Sequence, residues 1–372
     1  MRVQTFGVWP LFFMLMLSVG LANHVILLPL ILNDAGRDAW LCALIALAAS
    51  LPWIYFVIHG TLKRTGGKPL ARQLFKRLPK PIAFLLLLPM GLQLTMTSFQ
   101  AYAETAAWTT TTYLPATPPL VVLICLIALI GLGVWSGIRA IAIMSTMLLP
   151  TVVFLGDFVM TANMPDKNYS YLLPIMEHGP DGVLRGSLLA LGSLSELFIL
   201  LLVKHHLTRS LQSGHLIGLI VFLTLLTVGP AIGAVTEFGP VEAAKLRYPA
   251  FAQWRLVTIG RYIEHLDFFA IFQWVAGSFV RMSLSLYVVM ELLPLRRQAF
   301  RAAVLAVICV LFIVAAKVMS HFMFDYRVLT RIIFLSNLLV TAGVTFVLWL
   351  LSFNKLREEG NDAGSEHHAY NG

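Results

Sequence analysis

The sequence predicts an all-α integral membrane protein of ten transmembrane helices, built as two inverted five-helix repeats with helices 1 and 6 interrupted. Three observations lead there. Of the 372 residues, 58% are apolar and only 12% are charged, against roughly 25% charged in a soluble domain. The apolar residues form ten continuous runs, each near the roughly 20 residues that a helix needs to cross hydrocarbon. Two of those runs, in corresponding positions of two sets of five, are broken near the middle by small and polar residues, the sequence pointer to an inverted-repeat transporter architecture. The runs are continuous and not alternating, which favours helices over a barrel.

The first run, 6–32, is far longer than the roughly 7–15 residues of a signal-peptide core, so it reads as a retained span. The second covers 38–60. After it comes a basic loop with Lys63, Arg64, Lys68, Arg72, Lys76, Arg77 and Lys80. Spans three to five follow at 81–108, 118–135 and 138–162, spans six to eight at 182–204, 214–236 and 262–291, and spans nine and ten at 301–319 and 329–353. The chain thus divides into a membrane domain, 1–353, and a short polar tail, 354–372, expected to be disordered. With the N-terminus inside, sixteen Lys and Arg residues fall on inner segments and ten on outer ones. That asymmetry predicts both termini cytoplasmic. The formal charge of +9 belongs to these loops, and no nucleic-acid partner is expected. Cys42, Cys125 and Cys309 all lie in apolar runs without metal-ligand spacing. No cofactor, metal site or catalytic residue is predicted, since HExxH and GxSxG contexts are missing.

The informative residues are those at mid-membrane depth. Span one reads Ser18-Val19-Gly20-Leu21-Ala22-Asn23-His24 and closes at Pro29; span six reads Leu191-Gly192-Ser193-Leu194-Ser195-Glu196. Gly and Ser also let helices pack closely, but their matching positions favour helices that unwind. Charges within a span are costly and mark function. Glu196 sits beside the break in span six. Arg281 lies deep in span eight and needs a carboxylate, backbone carbonyls or water, unless it reaches down to the interface. Ser278 and Ser285 share its side of the helix. Asp157 lies about one turn from the end of span five and could snorkel to water. His24 is the one histidine at mid-span.

The segment from Leu246 to Tyr287, LRYPAFAQWRLVTIGRYIEHLDFFAIFQWVAGSFVRMSLSLY, resembles the GerAB family of spore-germination proteins, a branch of the amino acid–polyamine–organocation superfamily. The shared features are a Tyr248-Pro249-Ala250 turn, the run Tyr262-Ile263-Glu264-His265-Leu266-Asp267, Trp274, and a cationic or hydroxylic residue at Arg281. Leu27-Leu28-Pro29, Ala35-Gly36-Arg37-Asp38-Ala39-Trp40, Thr117-Pro118 and Glu196 agree as well. His265 and Ala250 replace the family's usual Arg and Thr, and Ala22-Asn23-His24 is bulkier than its glycine-rich break. The resemblance implies a leucine-transporter-like fold and a membrane subunit of a nutrient-germinant receptor in a spore's inner membrane. It implies as partners a small nutrient such as an amino acid, an A-type membrane subunit and a lipoprotein C subunit, with the lipid bilayer around them.

On this reading a nutrient zwitterion sits between spans one, three, six and eight. Its carboxylate meets backbone amides around Gly20, Ala22, Asn23 and His24, and its ammonium meets carbonyls around Ser193 and Ser195, with Glu196 near by. Thr95 and Phe99 of span three shape the side-chain pocket. Arg281, with Ser285 on its face, takes the place of a coupling cation between spans one and eight. A proton-coupled amino-acid permease with Glu196 or Asp157 as proton carrier is the alternative.

Overall fold

The computed structural model describes residues 5–177, 179–259, 265–293, 297–321 and 326–353. The polar tail and the Tyr262-Ile263-Glu264 part of the family motif lie outside these. Span one consists of α1 (Val8–Leu21), a π-helical stretch Ala22–Leu27 and α2 (Leu28–Ala35). Gly36 turns the chain with φ at +55°, a conformation that glycine adopts without steric cost. Span two is α3 (Ala39–Pro52), a second π stretch Trp53–His59 and α4 (Gly60–Thr65). Pro52 precedes that π stretch and removes a backbone donor there. The basic loop folds as α5 (Leu70–Arg77), which buries Leu70 and Leu74 and exposes Arg72, Lys76 and Arg77. Spans three, four and five are α6 (Lys80–Thr112), α7 (Pro119–Ser136) and α8 (Ile138–Ala162). Span six is α9 (Pro180–Leu194), a 3₁₀ turn Ser195–Phe198, α10 (Ile199–Val203) and a closing 3₁₀ turn Lys204–His206. Span seven is α11 (Ser213–Phe238). Two short helices, α12 (Pro240–Lys245) and α13 (Pro249–Trp254), lead to span eight, α14 (Phe268–Leu292). Spans nine and ten are α15 (Gln298–His321) and α16 (Tyr326–Phe353).

Among the described residues, nine helical stretches are long and apolar enough to cross a membrane, the first of them 58 residues long. At 1.5 Å per residue such a stretch is about 87 Å, nearly three times the roughly 30 Å of hydrocarbon. It bends back at Gly36, so it accounts for both the first and the second expected spans.

Lipid is as apolar as leucine, so burial here follows polarity more than hydrophobicity. Leu132, Met147, Phe154 and Leu339 are 66–74% exposed, while Asn23, Thr105, Ser193, Arg281 and Asn337 are at most 1% exposed. Spans six and eight form the centre of the bundle: 89% and 78% of their most apolar windows are buried, against 17% for span nine. Span six reaches the centre because it is narrow. A Cβ at Gly182 would strike the Asp34 carbonyl, one at Gly186 would strike Cys42 Sγ, and one at Gly192 would strike the Phe334 carbonyl. Close backbone approach at small residues is the usual glue of membrane helices.

The interruptions fall where the sequence places them, but they are changes of helical pitch and not open gaps. In span one the His24 ring nitrogen Nδ1 lies 2.6 Å from the Gly20 carbonyl oxygen. It competes there for the acceptor that the residue-24 amide uses in an α-helix, and the ladder widens to π. In span six the pitch tightens to 3₁₀ over Ser195–Phe198. The backbone amides near Gly20–Asn23 therefore remain within a helix, and the picture of two half-helix ends facing a ligand is corrected to that extent.

Both faces of the bundle are tied. At the face that carries the N-terminus, the Phe6 amide donates to the His206 carbonyl at 3.0 Å and the Thr208 amide donates to the Phe6 carbonyl at 3.1 Å. Lys204 donates to Thr65 Oγ1. At the opposite face, the Asp38 carboxylate accepts from the Met176 amide at 3.1 Å, Arg37 pairs with Glu177 at 2.7 Å, and Arg331 pairs with Asp34 at 2.6 Å.

Candidate functional site

The polar centre is built where the pitch changes. Arg281 projects from α14 toward span six and meets Glu196 in a two-pronged pair, Nη1 to Oε2 at 2.5 Å and Nη2 to Oε1 at 2.7 Å. Nη1 also donates to the Ser18 carbonyl of span one at 3.2 Å. The two side chains are 1% and 8% exposed. The planar guanidinium matches a carboxylate edge to edge, which makes this geometry strong and directional. The expected guanidinium link between spans one and eight is thus present, and Glu196 extends it to span six.

A second polar link lies beside it. Ser193 Oγ donates to Asn23 Oδ1 at 2.5 Å, and Asn23 Nδ2 donates to the Leu223 carbonyl of span seven at 3.0 Å. Asn337 Nδ2 and Ser195 Oγ both donate to the Gly192 carbonyl, at 2.8 and 2.7 Å, joining span ten to span six. Thr105 and Ser278 share a hydrogen bond of 2.7 Å between spans three and eight, and Trp274 Nε1 donates to Thr105 at 3.1 Å.

Five of the predicted site residues, Asn23, Ser193, Ser195, Glu196 and Arg281, therefore come together in one buried belt. Ala22 is fully buried in the π stretch, and Ser285 is buried one turn along from Arg281. Thr95 and Phe99 do not join them. Thr95 Oγ1 donates to its own helix at Gly91, and Phe99 packs on Phe312 of span nine at 5.3 Å between ring centroids. The reason is helical phase: Ser98 and Thr105, two turns apart, are the residues of α6 that bond span eight.

Gly20 and His24 line a cavity of about 470 Å³ between spans one, five, seven and eight, whose wall also includes Asp157, Tyr248, Trp254 and Trp274. A carbonyl only accepts, so His24 Nδ1 carries the proton in its bond to Gly20, and Nε2 takes no part in that bond. A second cavity of about 770 Å³, lined by Pro29, Glu104, Thr110, Arg247 and Tyr326, lies between spans one, three and ten. The segment 247–251 separates the two. Tyr248 packs edge-on against Trp274, which stacks on Trp108 at 4.1 Å, and Phe251 meets the edge of Trp108. Arg247 reaches the other way, to Glu104 at 3.4 Å, with its guanidinium over Tyr248 and Tyr326. Burial pushes the Tyr248 hydroxyl well above the usual tyrosine range, with the Glu104 charge adding to the shift. The ring is therefore a neutral donor at physiological pH. The second cavity and the Glu104–Arg247 pair are not legible from spacing, because 143 residues separate the partners.

A bundle of this kind, with pitch changes in spans one and six around a buried charge pair, defines a multi-pass membrane protein of leucine-transporter-like fold. Two solved structures of Eremococcus coleocola manganese transporter mutants share it. At 13% and 14% identity, each match covers 94% of this chain and 82% of the other, with a TM-score of 0.58. That likeness concerns the fold. Residues 3–323 match the spore germination protein (spore permease) family, and spore germination protein XB of Bacillus anthracis is 36% identical over 299 residues, which is 80% of this chain and 83% of that one. The chain belongs to the spore germination protein family, and it is a germination-related membrane protein with a transporter-like fold.

Proposed function

We propose that the chain is the membrane subunit of a nutrient-germinant receptor, with both termini cytoplasmic in the spore's inner membrane. It binds a small nutrient at mid-membrane depth and passes the event to an A-type membrane subunit and a lipoprotein C subunit. The observation that carries this reading is the cavity at the pitch change of span one, roofed by the family's Tyr248-Pro249-Ala250 turn. Its wall is largely apolar and aromatic, with the His24 ring and, as a negative group, the Asp157 carboxylate. That chemistry suits the ammonium and the apolar body of a small nutrient, the ammonium directed to His24 and Asp157 and the body against Trp254 and Trp274.

The Arg281–Glu196 pair supports a sensor over a pump. A guanidinium fixed by a covalent stem holds spans one, six and eight together without an exchangeable ion. Nutrient binding is then free of ion flow. The signal needs only that the nutrient bind one arrangement of the bundle better than another.

The test is a labelled amino-acid panel applied to the purified chain in sealed proteoliposomes, with a permeabilised control. Saturable, sodium-independent binding without accumulation is expected. Label that accumulates and is lost on permeabilisation would make the chain a permease. In the same assay His24→Phe is expected to weaken nutrient binding by about tenfold, the loss of about one hydrogen bond to a charged group. Unchanged affinity in that variant would remove the nutrient from this cavity.

A further inference from the structure

The N-terminal face of the bundle carries a constellation that the nutrient reading does not use. His205 and His206 lie in the 3₁₀ turn Lys204–His206 that ends span six, and Glu291 lies in the last turn of α14. His205 Nε2 is 2.8 Å from Glu291 Oε1, and His206 Nε2 is 3.1 and 3.0 Å from the two carboxylate oxygens. One atom from each of the three side chains lies within 4.8 Å of the others. Neighbouring residues on a regular helix point about 100° apart and do not face a common partner. Here both imidazoles do, with ring centroids 4.0 Å apart. The turn is held from outside: Phe6 is strapped to the His206 backbone and stacks on its ring at 6.2 Å, and Tyr287 covers its edge at 6.1 Å.

We propose that His205, His206 and Glu291 form a binding site for a divalent transition-metal ion of the zinc class. Two imidazole nitrogens and a carboxylate are a donor set that zinc accepts, whereas magnesium and calcium call for oxygen alone. Around a tetrahedral ion with bonds of about 2.0–2.1 Å, ligand atoms stand about 3.3 Å apart. The two nitrogen–oxygen separations need open only slightly to admit it, and all three ligand atoms already lie within 4.8 Å of one another. The two histidine side chains are 5% and 3% exposed and the glutamate is 30% exposed. The ion enters from the N-terminal face past Glu291, and water completes its shell. An occupied site clasps the end of span six to the end of span eight, on the same two helices that Arg281 and Glu196 join deeper in the bundle. This inference stands apart from the nutrient reading and survives its failure.

The experiment is equilibrium dialysis of the metal-stripped, full-length chain in lipid nanodiscs against Zn²⁺, with Co²⁺ absorption reporting coordination geometry. One Zn²⁺ per chain and the strong visible bands of four-coordinate Co²⁺ are expected. Glu291→Gln and His206→Gln should each weaken binding by at least about tenfold, while His215→Gln, at the same face but outside the cluster, should leave it unchanged. Monodispersity on size exclusion separates lost ligation from lost folding. The unaltered chain alone can overturn the proposal, by binding no Zn²⁺ or by showing a thermal midpoint that responds to pH but not to Zn²⁺. Equal binding by the unaltered chain and both cluster variants would overturn it as well.

Discussion

Arg281→Met is expected to destabilise the protein by about 3–5 kcal/mol, the range for removing one partner from a buried ion pair. The reason lies in what remains. Glu196 is left with a carboxylate that is 8% exposed in its side chain, facing an apolar replacement, and the Ser18 carbonyl loses its donor. Either the carboxyl takes up a proton or the three spans part to admit water. The double variant Glu196→Gln/Arg281→Met removes both charges at once and is expected to recover most of the loss, because a buried pair replaced as a unit is often close to neutral. Thermal unfolding of the four chains in nanodiscs gives the coupling directly. A single variant as stable as the parent would show that water already reaches the pair. A double variant no better than either single would show that packing, and not charge, holds this site.

Gly192→Ala should cost about as much by a different route. The new methyl meets the Phe334 carbonyl and the carbon behind it, which are main-chain atoms of α16 that cannot rotate away. Overpacking alone typically costs about 1–3 kcal/mol. If spans six and ten separate to make room, Asn337 Nδ2 loses the Gly192 carbonyl, which adds about 1–3 kcal/mol for a buried donor left without its acceptor. A total of about 2–6 kcal/mol follows, read as a lower thermal midpoint. Gly218→Ala is the matched control, since a Cβ there meets nothing within 4 Å. It should leave stability unchanged or raise it by up to about 1 kcal/mol, the helix preference of alanine over glycine. Equal effects at the two glycines would refute the close approach of spans six and ten.

The limits of the helices were readable because bilayer thickness sets their length and loop polarity sets their ends. Every expected span overlaps an observed one, from 6–32 against the helices beginning at Val8 to 329–353 against Tyr326–Phe353. The buried charges were readable too, since an arginine such as Arg281 in hydrocarbon must find a partner. Identity of the partner was not. Glu196 and Arg281 are 85 residues apart, as are His206 and Glu291, and no spacing rule spans that distance. Helical phase explains the misplacement of Thr95 and Phe99: span three carries polar residues on several sides, among them Gln93, Thr95, Thr97, Ser98, Gln100, Glu104 and Thr105, so its sequence does not mark which stripe meets span eight. The π pitch in span one was hidden for a related reason. Glycine and asparagine signal an irregularity, but the ring of His24 decides its form.

The three-residue strap at the N-terminal face has a mechanical consequence. Phe6 is bonded on both sides to residues 206 and 208, while Asn23 is bonded to Ser193 about seventeen residues further along span one. Two fastenings at different heights remove both relative sliding and relative tilt. Spans one and six are thus fastened to each other at two heights, and on the proposed reading a push at the cavity beside His24 would reach the ends of both helices on the N-terminal side.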